Sequence, residues 1–189
     1  MRTIAELNPI AATAMGIPGH DRTLPDLSPA GHAARAEAAR AVLAVLDTTA
    51  PEDDVDLVTM AAMRERLGLE LELDAAGELL RELNVIASPL QSVRDVFDLM
   101  PTATAEDWAA VAARLAAIPS ALAGYAQSLR CAAARGDVAA ARQIDAGIKQ
   151  ATDLASTPGS VFSALVAGAS IDGRPVTGAL AEDLSLIHI

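Results

Sequence analysis

The stretch from Glu106 to Leu129, EDWAAVAARLAAIPSALAGYAQSL, decides how the rest of the chain is read. Its alanines carry the best intrinsic helix propensity, because they lose no side-chain entropy on ordering. Trp108, Val111, Ala112 and Leu115 recur at three- and four-residue spacing, which places them on one helical face. Thr104 reads as the N-cap, with Asp107 three residues on as an acidic variant of the capping box. Pro119 suits a first helical turn, so a break is expected at 118–119. A further helix then carries Leu122, Tyr125, Ala126 and Leu129. Trp108 and Tyr125 are expected as core anchors, each with its one polar atom satisfied.

The same devices recur outward from this stretch. Residues 4–15 form a short apolar helix restarted at Pro9, and Gly16, Pro18, Gly19 and Pro25 make 16–27 a loop whose turns Asp21 and Asp26 fasten. Ser28-Pro29 caps and opens a helix to about Asp47, with Ala39, Val42, Leu43 and Leu46 on one face. Pro51 is expected to open the next, to about Leu73. Acidic residues crowd its first turn, and Val55, Val58, Ala62 and Leu69 are its expected buried stripe. Ser88-Pro89 opens a helix with Leu90, Val93, Val96, Phe97 and Met100 inward, stopped by Pro101. Asp137 caps a helix carrying Ala141, Ile144, Ile148, Ala151 and Leu154. After a break at 156–160, Val161–Ala169 is a short apolar helix, and from Asp172 the pattern loosens. The expectation is an all-α fold, an antiparallel bundle of about seven to eight helices with further breaks at 48–51, 101–104 and 135–137.

Composition narrows the function classes. The 189 residues suit a single domain, 52% are hydrophobic, and alanine alone supplies close to a quarter. Aromatics make up 2%, and the alternating pattern of strands is missing. A net charge of -11 with a single lysine, Lys149, argues against nucleic acid and against an anionic membrane surface. Cys131 is alone, so neither an intramolecular disulfide nor a cysteine-based zinc site can form, and it is expected packed or half-packed. No apolar leader follows Met1. The longest nearly apolar run is read as Val161–Ile171, short of a bilayer's thickness, which points to a cytoplasmic protein.

No catalytic, cofactor-binding or metal-ligating residue is assigned. The histidines are His20, His32 and His188, with no His-Glu pair of the kind a zinc peptidase helix carries. His32, beside Gly31 on an alanine-rich helix, reads as a surface imidazole. Glu70, Glu72 and Asp74 are spaced by two and do not converge on one helical face, so they read as a solvated helix end. Neither a Gly-x-Ser-x-Gly elbow nor a phosphate-cradling Gly-Lys loop is present.

One resemblance stands out. Asn8-Pro9 through Ala12-Thr13 to Gly16, then Asp21 and LPDLSP (Leu24–Pro29), resembles the opening of the bacterial domain-of-unknown-function family 885. ASPLQSVRDVFDLMP (Ala87–Pro101) continues the likeness. The pattern Asp107-Trp108, Arg114-Leu115, Pro119, Tyr125 and Leu129 extends it, with the Gly136-Asp137 turn and the helix through Gln150. The likeness covers roughly residues 5–165. It implies a larger, mainly helical, zinc metallopeptidase-like fold whose metal motif, His-Glu-x-x-Pro-Gly-His, and a further Glu lie in a C-terminal half. This chain would be the N-terminal half, covering one side of a substrate channel. In "AMGIPGHD" (Ala14–Asp21), Ala14 and Met15 stand where that motif has His and Glu, so its Pro-Gly-His is a coincidence.

The ending LSLIHI (Leu184–Ile189) looks like translated adaptor sequence, or alternatively a short terminal strand or docking tail. The expected organisation is 1–183 as an N-terminal helical region of a longer protein and 184–189 as a non-native tail. Zinc and a peptide substrate belong to the intact protein, whose missing C-terminal half is the expected partner. That half is expected to cover an exposed apolar face formed by Val161–Ala169 and the tail. The rival expectations are a self-contained helical protein-binding module and a subunit that dimerises through an alanine-rich face, neither with enzymatic activity.

Overall fold

A computed structural model of the chain describes residues 4–155 and 160–185. Within them, α1 (Ile4–Leu7) and α2 (Pro9–Ala14) precede α3 (Pro29–Thr48) and α4 (Asp54–Ala76). Next come α5 (Pro89–Asp95), α6 (Ala105–Ala133), α7 (Ala141–Ala155), α8 (Val161–Ala167) and α9 (Ala179–Ser185). Two 3-10 turns, Glu78–Leu80 and Val96–Leu99, join the helices, and a two-residue hairpin pairs Ser170–Ile171 with Arg174–Pro175. The protein is an all-α bundle. The expected breaks at 16–27, 48–51, 101–104 and 135–137 are present, whereas the one at 156–160 falls mostly outside the described residues.

The expected break at Pro119 is absent. α6 runs unbroken for 29 residues, about 44 Å. Pro119 sits on its exposed face, where the lost N–H costs one ladder bond, while Leu115, Ile118 and Ala121 are buried on the other face and hold the helix straight through. This burial outweighs the local preference. α6 is also the longest apolar stretch, by composition long enough to cross a bilayer, which displaces Val161–Ile171 from that role; half of its most apolar window is buried within the protein. The core gathers around it from Leu90, Val93, Val96, Phe97, Trp108, Val111, Leu115, Tyr125 and Phe162. Phe97 and Phe162 meet edge to face at 5.6 Å.

Four other expectations are corrected. Pro51 does not open α4; Asp53 does, its side chain accepting from the Asp56 amide at 2.8 Å. On α4, Val55 and Val58 are 71% and 70% exposed, with Ala62 and Leu69 also outside. α4 carries two apolar stripes on nearly opposite faces, and the bundle uses the one holding Met60 and Leu67. That choice is set by α3, whose end is tied to α4 through Arg64 Nη2 and the Leu46 carbonyl, 2.8 Å apart. α8 turns only part of its apolar surface to solvent: Val161 is 38% exposed, whereas Phe162 is buried and Leu165 and Val166 pack on the core. Cys131 is exposed, because it stands to one side of the buried stripe that runs through Ser128 and Ala132 on α6.

Candidate functional site

α6 is laced to the loops by polar side chains that would otherwise be unsatisfied in the core. Trp108 Nε1 donates to the Ser170 carbonyl at 3.0 Å, and Ser128 Oγ donates to the Leu27 carbonyl at 2.7 Å. Tyr125 donates its hydroxyl to the Glu82 carbonyl at 2.5 Å, and burial pushes its pKa up to about 12. Arg114 is fully buried and binds the 15–28 loop: Nε donates to the Thr23 carbonyl at 3.0 Å and Nη2 to the His20 carbonyl at 2.7 Å. Nη2 also donates to Thr13 Oγ1 at 2.9 Å, and that hydroxyl donates to Asp21 at 2.6 Å. "IPGH" is therefore a loop whose backbone serves Arg114. A buried polar group without a partner costs about 1–3 kcal/mol, which makes this lacing a strong constraint on where the loops lie.

The pinned loop then closes over the first turn of α3. Ser28 Oγ accepts from the Gly31 amide at 3.3 Å, and the Asp26 side chain accepts from the Ser28 amide at 2.9 Å. Gly31 is required here: a Cβ would stand 2.0 Å from the Asp26 carbonyl oxygen. With backbone packed this closely, His32 is buried at 8% exposure and is no surface imidazole. Its Nδ1 has no hydrogen-bond partner. Burial first, then Arg35, lowers its pKa to about 4, so the ring is neutral at physiological pH.

His32 lines a cavity of about 410 Å³ between α2, α3, α4 and the 82–92 segment. Arg35, Glu70 and Glu82 line it as well, with Leu27 and Leu79 among its apolar walls. Arg35 Nη1 donates to the Asp26 carbonyl at 2.9 Å, and Glu70 and Asp74 favour its charge against the cost of burial. Burial raises the Glu82 carboxyl above the usual range. On the far wall, Ser88 donates through its amide to Gln91 Oε1 at 2.8 Å, and Gln150 on α7 donates to the Val85 carbonyl at 3.2 Å, fixing the segment. A concave space that is mostly apolar with a few convergent polar groups is the usual form of a small-ligand site.

The chemistry of a catalytic zinc does not fit the donors that are present. His20 lies in the loop that Arg114 holds, and His32 sits beside the cationic Arg35, which opposes a dication. His188 lies outside the described residues. Among the described residues no group of three or more His, Cys, Asp or Glu side chains is placed to hold a metal ion. Glu70 and Asp74 do not act together as a solvated end: Glu70 faces the cavity, while Asp74 approaches Arg40 at 3.9 Å.

Sequence reasoning passed over Arg35 and Glu82 and misplaced His32. A signal was available for His32, since it stands four and seven residues before Ala36 and Ala39, on the stripe that α3 buries. Glu82 carries no such signal, because its place in the wall comes from the Tyr125 bond to its own carbonyl.

An all-α scaffold built on a central laced helix, with a polar-lined cavity at one flank, is the class that the fold and site define. The family of bacterial proteins of unknown function DUF885 matches residues 9–185, and the chain belongs to that family. No curated protein matches the chain. Some of the residues that carried the resemblance take part in the lacing or in the caps beside it. Asn8 caps α2 through the Ala11 amide at 3.1 Å, Thr104 and Asp107 form the capping box of α6, and Trp108, Arg114 and Tyr125 hold the loops.

Proposed function

We propose that this chain is the non-catalytic helical region of a zinc-dependent, peptidase-like protein, in which it forms one side of the channel that holds a peptide. The observation that carries the reading is the cavity of about 410 Å³, polar at Arg35, Glu70 and Glu82 and apolar between them. This is a surface suited to holding a ligand. The metal and the general base belong to a His-Glu motif elsewhere in the intact protein, and LSLIHI is sequence foreign to it. The exposed stripe Val55, Val58 and Leu69 on α4 supports a neighbour for this region, and its occupant in this reading is the C-terminal half.

The test is the gene itself. The reading frame of the source genome should diverge from LSLIHI near Leu184 and continue into a helical region with His-Glu-x-x-Pro-Gly-His, and the longer protein should hold zinc and cleave peptides. A stop codon directly after Ile189 overturns the reading. The same α4 stripe favours one second reading, a self-contained module that dimerises. In that case light scattering should give a dimer that Val58→Asp dissociates.

A further inference from the structure

We infer that the cavity beside His32 takes a compact zwitterion, the free ammonium and carboxylate ends of a dipeptide, with Glu70 and Glu82 facing the ammonium and Arg35 the carboxylate. The inference rests on the proposed function only for the choice of a peptide over other zwitterions. The charges themselves are on the cavity wall. Arg35 spends one N–H on the Asp26 carbonyl, and among the described residues no carboxylate lies within ion-pairing distance of its guanidinium. The Glu82 carboxylate makes no hydrogen bond or ion pair among them either; only its main-chain carbonyl is engaged, by Tyr125.

Charges of both signs thus line one space: Arg35 and Glu70 are half-buried, close enough to favour each other's charge without an ion pair, and Glu82 is exposed at the rim. A ligand that brings both complements meets both. An anion alone would face two glutamates, and a cation alone would face Arg35. A zwitterion answers both. His32 adds a second, independent mark of a ligand: its ring is 8% exposed, and its Nδ1 has no partner in the protein. The ring is neutral at physiological pH, so it offers a hydrogen bond without repelling the ammonium. The volume suits two residues, and Leu27 and Leu79 suit an aliphatic side chain.

Calorimetric titration of the purified chain with leucyl-alanine, N-acetyl-leucyl-alanine and leucyl-alaninamide tests this. Leucyl-alanine should bind, and either capped form should bind at least about tenfold more weakly, the loss of one charge-assisted contact. Glu82→Gln should weaken leucyl-alanine by about tenfold and leave N-acetyl-leucyl-alanine unchanged. The capped peptides read the same point on the unaltered chain, whatever the variant does to folding. No binding at about millimolar concentration, or equal binding of all three peptides, overturns the inference. If leucyl-alanine binds as expected while the gene lacks the His-Glu motif, the proposed function fails and the zwitterion site stands. If the motif is found and leucyl-alanine does not bind, the site fails and the proposed function stands.

Discussion

His32 should make the fold acid-labile in a defined window. Its ring is covered by the Asp26–Gly31 approach, and the folded chain holds its pKa at about 4 against 6.5 for a solvated imidazole. Desolvation is the first cause and the adjacent Arg35 the second; the carboxylates of Asp74 and Asp26 oppose both without reversing them. The folded state therefore resists the proton that the unfolded state accepts. Stability is complete above about pH 6.5 and falls as the pH drops toward about 4, with a full loss of about 3 kcal/mol, since one pKa unit is about 1.4 kcal/mol. Urea unfolding of the chain and of His32→Gln, compared at neutral pH and at about pH 4.5, isolates this part, because the carboxylates titrate in both proteins. The gap between the two should shift by about 2–3 kcal/mol in favour of the variant on acidification. A gap that stays constant would refute the burial argument for this ring.

The other predictions concern the lacing and the helix that carries it. Gly31→Ala should cost about 3 kcal/mol in chemical unfolding, because the new Cβ meets the backbone of Asp26 at 2.0 Å and not a flexible side chain. Arg114→Met should free the 15–28 loop and cost about 3 kcal/mol, seen as faster tryptic cleavage at Arg22. Pro119→Ala should raise stability by about 1–3 kcal/mol, since it restores a helix N–H on an exposed face. Cys131 should react fully with a maleimide in the folded chain, without denaturant.

The fold class was legible because alanine-rich helices with Ser-Pro and Thr-x-x-Asp starts announce themselves locally: Ser28, Ser88 and Thr104 stand at helix starts as their spacing required. Pro119 and the α4 stripe were misread because both depend on which face a neighbour covers, and helical periodicity is equal for Val55 and Met60 until α3 is in place. The cavity was not legible at all. Its groups come from separate segments, α3, α4 and the turn after it, and they meet because Arg114 and Tyr125 hold two loops against α6. Those two side chains were visible as a recurring pattern, but their role in shaping a site depends on carbonyls 43 to 94 residues away.

The most direct measurement of the central claim is backbone amide hydrogen exchange of the chain with and without leucyl-alanine. The account predicts slower exchange at 26–35 and 82–92, the two walls of the cavity, with α7 and the exposed stripe of α4 unchanged. Protection confined to the apolar cleft beside Pro119 and Leu154, or no protection anywhere at saturating peptide, would contradict it.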